Sequence, residues 1–526
     1  MDAKTPLLQQ QQQAHPPVSR PKYKRRRSSF DASTYNSTGQ SLGYVKPPSV
    51  HTIDRQDNTK TEPGLTLVQI LGLTICMAGV QFTWAVELSY GTPYLLSLNI
   101  SKELTALVWL AGPLSGLLVQ PLIGALSDKC TSRFGKRRPF IVVAGILTCL
   151  SMLGVAYAKE LGAWLAGNGP ATHTWAVLVA VTSFYFLDFT LNGVQAICRA
   201  LILDVPPLWQ QEYANAWSAR MSNSAQVIGY FVGFVDLVKV APWLGDSQIK
   251  GFCIIAILVF CLTLAITCVS VRETPYTRDP EESEKPWYHT FVYIWRAFRY
   301  LPRPVQSLCN TQFFAWMGWF PFLFYSTQWV SDIYFQTHPP AKDNDDNWAE
   351  GTRAGSFALL CYSVISVVAG VVIPALASKF QSWTLTRIYT LSHLTVAFAL
   401  LSAWFVNSVQ AATIVLAVMG IPWAIVLWVP FSLVGEYVSY EDERRQEALP
   451  SSSTAQEDED EFDAGMILGV HNMYIVFPQF AVAIIASFIF AMTAGSDTSS
   501  VSSVLAFGGL MALVAAALSR FIVRVK

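Results

Sequence analysis

The chain has 526 residues, 52% hydrophobic and only 14% charged, where a soluble domain carries about 25% charged residues, so it reads as an integral membrane protein. Its 36 basic and 36 acidic residues cancel, leaving no global field to attract nucleic acid. Nine cysteines are scattered in or beside apolar runs, with no CxxC pair and no Cys/His cluster at metal spacing, which argues against a disulfide framework or structural zinc; no cofactor is expected.

Residues 1–63 are polar and rich in Gln, Ser, Lys and Arg, without the apolar core and cleavage site of a signal peptide. They read as a disordered cytoplasmic tail, with the first spanning helix as the targeting signal. Apolar runs able to cross about 30 Å of hydrocarbon follow near 65–86, 104–126, 139–158, 174–198, 213–238 and 251–271, then 310–334, 354–378, 387–407, 411–435, 465–491 and 501–523. The expected fold is therefore all-α, with twelve transmembrane helices in two six-helix halves, 64–271 and 310–526. A basic linker over 272–309 divides them.

The first run ends near Glu87, three residues after Trp84 on the same side of a helix. Glu87 suits either a proton site or a solvated helix end; Trp84 suits stacking on a pyranose ring or an interfacial belt. Asn99-Ile100-Ser101 is a glycosylation sequon close to the membrane surface, and that at Asn36 falls in the tail. Between runs two and three stands GALSDKCTSRFGKRRPF, residues 124–140. Its Asp128 and its Arg133, Lys136, Arg137 and Arg138 suit a gate, because the cations reach carbonyl ends, neighbouring carboxylates or lipid phosphates.

The fourth run carries a polar stripe. Asp188, Asn192, Gln195 and Arg199 are offset by 0, 4, 7 and 11 positions, which at about 100° per residue places them within roughly 60° of one another. Asp188 and Arg199 are roughly 16 Å apart along the axis, too far for direct neutralisation. A carboxyl in a low-dielectric cavity can alternate between neutral and ionised forms as the site changes face, which fits a proton carrier; an aspartate held ionised by a partner is the competing reading. Arg199 fits coupling or snorkelling, and Asn192 and Gln195 fit substrate binding or bonds to neighbouring helices. Loop 439–464 is acidic and Ser-rich, a regulatory or spacer segment. Lys and Arg concentrate before run one, after run two, in the central linker and at the end of the chain, which places both termini in the cytoplasm.

The spacing of Gly124, Asp128, Gly135 and the Arg pair resembles the signature loop of the major facilitator superfamily. A degenerate echo, ASKFQSWTLTR, lies at 377–387. GVQFTWAVELSYGTPYLL (79–96), LVWLAGPLSGLLVQPLIGALSDKCTSRFGKRRPF (107–140), LNGVQAICRALILD (191–204) and GMILGVHNMYIVFPQ (465–479) resemble the sucrose transporter family, within the glycoside-pentoside-hexuronide cation symporters, and Glu87 is more like the fungal and animal branch. The resemblance implies proton-coupled symport of sucrose or a related α-glucoside such as maltose, with the proton as coupling ion and a disaccharide, protons and membrane lipid as partners.

It matches Asp188 and Arg199 to the family's fourth-helix acid and base, and places Gln81, Trp84, Gln226, Asn472 and Gln479 among sugar-binding positions. Departures are Ser326 and Gln328 in place of acids in run seven, with Asp332 as the nearest acid, and Lys102 in place of a histidine. An enzyme such as a membrane glycosyltransferase would need clustered carboxylates or a nucleotide-phosphate loop, and neither is present in the sequence. The rival functions are an uncoupled facilitator and a non-transporting sugar receptor. The plasma membrane is the expected location, an endomembrane the alternative, and the oligomeric state is left open.

Overall fold

The computed structural model describes residues 64–128, 130–167, 169–273, 301–339, 348–379, 383–448, 464–493 and 499–522. The expectations for the tail, most of the central linker, the body of the acidic loop and the chain end fall outside these residues. The described residues form α-helices joined by short turns and 3-10 segments.

One half contains α1 (Leu67–Thr74), α2 (Cys76–Ser97), α3 (Lys102–Val108), α4 (Ala111–Asp128), α5 (Arg138–Ala156) and α6 (Ala158–Ala166). It continues through α7 (Thr172–Asp204), α8 (Gln211–Phe234), α9 (Leu237–Val240) and α10 (Gln248–Ser270). The other half contains α11 (Arg303–Thr337), α12 (Trp348–Lys379), α13 (Leu385–Leu401), α14 (Val409–Val418), α15 (Gly420–Ala448), α16 (Ala464–Met492) and α17 (Ser499–Ser519). The first crossing opens with a capping box, Thr66 accepting from the Gln69 amide, and runs nearly unbroken through α1 and α2.

The described residues contain nine spans that are long and apolar enough to cross a membrane by composition alone. The helices α8, α11 and α13 complete the twelve. The first two are diluted by polar side chains, among them Arg220, Asn223 and Gln226 on α8 and Gln312 and Gln328 on α11, and the third has 17 residues. A helix facing a protein crevice can carry such groups where a lipid-facing one cannot. The contrast is clear on α5, which buries Ile141, Ala144, Thr148 and Met152 on one side and exposes Val142, Val143, Ile146 and Leu150 on the other. Both faces avoid charge because one meets protein and the other lipid.

Each half has its own hydrophobic core, and Ala85, Ala106, Trp109 and Tyr230 of the first half pack into the core of the second. The seam is made by α2 against α11 and α12, α8 against α12, and α3 against α16. Its polar ties gather toward the end opposite the 128–138 turn. There Trp109 stacks on Phe324 with centroids 4.2 Å apart, and Thr92 donates to the Phe324 carbonyl at 2.5 Å while accepting from the Trp109 indole at 3.0 Å. Lys102 donates to Ser500 at 2.9 Å, so the residue standing in place of a histidine serves as a tie between halves. Asp236, beyond the end of α8, pairs with Arg353 of α12.

The Asp236–Arg353 pair is a closing contact with a definable pH range. Partial burial of Asp236 opposes its charge, but Arg353 and Lys239 override that and hold the carboxyl below the usual carboxylate range. Its contribution is therefore complete above about pH 4 and is lost only as the pH falls through the lower folded value. Asp236→Asn is expected to raise the maleimide reactivity of a Ser97→Cys reporter by the same factor at pH 5 and at pH 8. A factor that differed between the two would show that the pair titrates in that range.

Candidate functional site

Two carboxyl groups lie deep in the bundle. Asp188 of α7 and Glu87 of α2 are each 2% exposed, and they face one another as direct electrostatic neighbours. Neither Glu87 oxygen has a hydrogen-bond partner among the described residues. Two ionised carboxylates have no donor between them, so a proton is the simplest bridge. The solvated-end reading of Glu87 is corrected: the helix continues past Pro93 to Ser97, which puts residue 87 in mid-helix.

Asp188 also approaches the seam. A methyl group on Gly112 of α4 would sit 3.5 Å from Gln479 Oε1 of α16 and 3.9 Å from Asp188 Oδ1. The acid and an amide of the opposite half therefore converge on one point, which glycine leaves open. Asn192 is engaged in packing: its amide donates to Ser115 at 2.7 Å and to the Asp188 main-chain carbonyl at 3.0 Å, and its oxygen accepts from Gln120 at 2.9 Å. It joins α7 to α4, the second of its two sequence readings.

The rest of the stripe turns polar surface toward the 128–138 end. Gln195 is half-buried and Arg199 is exposed, with no ion-pair partner for Arg199 among the described residues, so Asp188 is not tied to it. Gln226 is buried and reaches Tyr230 one turn away at 3.5 Å. Trp84 packs against the first-half core, Gln81 is half-buried and Asn472 is exposed. The structure thus brings together Glu87, Asp188, Asn192 and Gln479, while Arg199 lies about three turns from Asp188 along α7.

Several polar partners were not singled out from the sequence. Ser115 and Gln120 lie within about two turns of Gly112 on α4, but only packing shows that Asn192 bonds to both. In the second half, Gln312 pairs with His471 at 3.0 Å and accepts from Tyr389 at 3.0 Å, so His471 is a buried, bonded residue. Gln328 donates to Asp332 at 2.6 Å within α11.

The basic turn forms a second cluster. Arg137, 5% exposed, pairs with Asp128 and donates to Ser127 at 2.5 Å and to Asp204 at 2.9 Å. Lys136 reaches Asp204 at 2.9 Å. Glu273 accepts from the Arg137 and Arg138 amides at 3.1 and 3.0 Å, and Arg138 also donates to the Cys268 carbonyl at 3.2 Å. Arg133 is exposed and lies over its own neighbour Phe134. Gly135 permits the turn, at φ 107° with Glu273 against it. These contacts join the ends of α4, α5, α7 and α10 in one half; in this state the Arg137 and Arg138 contacts described do not lock one half to the other.

The sequence profile of the Major Facilitator Superfamily matches residues 70–448. The chain is 31% identical to the general alpha-glucoside permease of Schizosaccharomyces pombe, covering 86% of this chain and 93% of that one. It is 27% identical to sucrose transport protein SUT1 of Oryza sativa subsp. japonica, covering 81% and 82%. Among solved structures, a D-xylose-proton symporter superposes with a TM-score of 0.56 at 14% identity, covering 87% and 98%. A bacterial homologue of the human lysosomal transporter Spinster, in an inward-facing and unoccupied conformation, gives 0.56 at 13%, covering 87% and 98%.

Proposed function

The chain belongs to the Major Facilitator Superfamily, and from that premise we propose that it carries sucrose or a related α-glucoside across a membrane together with a proton. The observation that carries this reading is the buried Glu87–Asp188 pair beside Gln479 of the opposite half. A site made from both halves can open to one side and then the other as the halves rock, and an acidic pair at its floor can take up and release a proton in the same cycle. The named relatives, an alpha-glucoside permease and a sucrose transport protein, support the substrate class.

The cycle follows from the chemistry of the site. A proton on the acidic pair removes an uncompensated buried charge, so sugar and proton together favour closure, and opening toward the polar stripe lets Asp188 release the proton. Arg199, charged throughout and without an ion-pair partner among the described residues, adds positive potential on that side. The distribution of basic residues supports a cytoplasmic location for the 128–138 end and both termini, and the plasma membrane is the location proposed.

Membrane vesicles containing the protein should accumulate labelled sucrose or maltose against a gradient when the outside is acidic, and a protonophore should collapse the accumulation. Downhill flux without accumulation would identify an uncoupled facilitator, and binding without flux a receptor. Competition among sucrose, maltose, trehalose and glucose ranks the substrates.

A further inference from the structure

We propose that protons reach Glu87 by a path of their own, through a dry hydrophobic gate formed by Tyr94 and Ile249, behind α2 and apart from the point at Gly112 where Gln479 of the opposite half meets Asp188. The proposal rests on the proton-coupled reading above and adds the direction from which the proton comes.

Two cavities lie in series behind α2. The outer one, about 340 Å³, opens at the end opposite the 128–138 turn. Its wall is charged: Lys250 pairs with both Glu160 and Asp246, and Lys159 also lines it. The inner one has room for the centre of about one water molecule, about 10 Å³, and Glu87, Thr83, Phe184 and Cys253 are among its lining residues. Tyr94 and Ile249 line both. They form the septum between a charged vestibule and an apolar gap that Glu87 lines through its hydrocarbon stem.

The septum is held in place by its surroundings. The Tyr94 hydroxyl donates to the Val155 carbonyl at 2.6 Å, and its ring lies against Trp348 of the opposite half, with centroids 6.1 Å apart. Trp348 also meets Tyr90, one turn nearer Glu87. The accessible wall of the inner cavity is apolar, and an apolar gap of this size stays dry. A dry constriction blocks a proton as effectively as a closed door, because no chain of water spans it.

The titratable groups around Glu87 are Asp188 on α7, Tyr90 and Tyr94 on α2, and Cys253 on α10, with Lys159, Glu160, Asp246 and Lys250 beyond the septum. Because Trp348 comes from the second half, movement of that half away from α2 removes the support behind Tyr94. Hydration of the gap then lets a hydronium in the vestibule pass its proton through water to a Glu87 oxygen, and from there to Asp188. In the closed state the septum prevents a continuous proton leak past the acidic pair.

The test uses the full chain in proteoliposomes enclosing a pH-sensitive dye, with an acid pulse outside and no sugar. The wild type and Tyr94→Phe, which keeps the ring, should be as tight as protein-free liposomes. Tyr94→Ala and Ile249→Ser should each raise sugar-independent proton entry by about tenfold or more, and Glu87→Gln in the same chain should cancel the rise. Sugar counterflow, which needs no net proton movement, shows which variants are folded. Counterflow-competent Tyr94→Ala and Ile249→Ser proteins that remain tight would overturn the gate, as would a leak that survives Glu87→Gln. Failure of the coupling reading is separate: it would appear as wild-type sugar flux without proton movement.

Discussion

Asp188→Asn is expected to abolish sugar accumulation against a gradient, lowering it about a hundredfold or more, while the protein folds and reaches the membrane. The amide matches the carboxyl in size but cannot pick up and release a proton. The fold should tolerate the change because Asn192 donates to the main-chain carbonyl of residue 188 and to Ser115, leaving the Asp188 side chain out of the α7–α4 tie. The effect is large because net coupled transport needs a proton released in every cycle, and a buried acid meeting the substrate seam is the group placed to release it. Counterflow of labelled sugar should persist at a reduced rate, since exchange needs no deprotonation. Wild-type accumulation by the asparagine variant under an inward proton gradient would remove Asp188 from the coupling step. Glu87→Gln provides the matching arm: if the pair shares one proton, this variant also loses accumulation while keeping exchange.

Arg137→Gln should cost the folded protein about 2–4 kcal/mol, toward the lower part of the range for a broken buried ion pair because Asp128 and Asp204 are partly exposed. The guanidinium spans both carboxylates and Ser127, and a neutral amide cannot span all three. Arg138→Gln should cost less, about 1–2 kcal/mol, because it breaks the 3.6 Å pair with the buried Glu273 but leaves Glu273 the Arg137 and Arg138 amide donors. Thermal unfolding in detergent should show a drop of several degrees for the first variant and a smaller one for the second. Because the Arg137 contacts stay within one half, the drop should come without a large change in cysteine accessibility at the 128–138 end. Altered accessibility at unchanged stability would mean that the turn acts as a lock between halves in another state.

The resemblance of the 124–140 loop and of three further stretches already points to this superfamily, and those residues fall on helices and helix ends of the structure. Twelve hydrophobic runs are legible because each crossing demands about twenty residues acceptable to lipid or to a buried face, a requirement that one helix meets without reference to its neighbours. The polar stripe from Asp188 to Arg199 is legible for the same reason, since helical periodicity brings residues 4, 7 and 11 apart onto one side.

What periodicity leaves undetermined is the direction in which each stripe points and what meets it. Glu87 reads from sequence as either a proton site or a solvated helix end because the apolar run stops near it; the helix continues through Pro93 and buries it beside Asp188, 101 positions along the chain. Asn192 fits substrate binding or a bond between helices by sequence, and Ser115 and Gln120 of α4 decide for the second. Arg137 reads from sequence as a gate cation able to reach carbonyl ends, neighbouring carboxylates or lipid, and only the fold selects Asp204 and Glu273, from the ends of two other helices. In each case the decisive quantity is the rotation and depth of one helix against another, set by side-chain packing across many residues. Hydropathy measures a helix's own composition; which buried polar atom receives a partner from elsewhere in the chain is decided only when the helices come together.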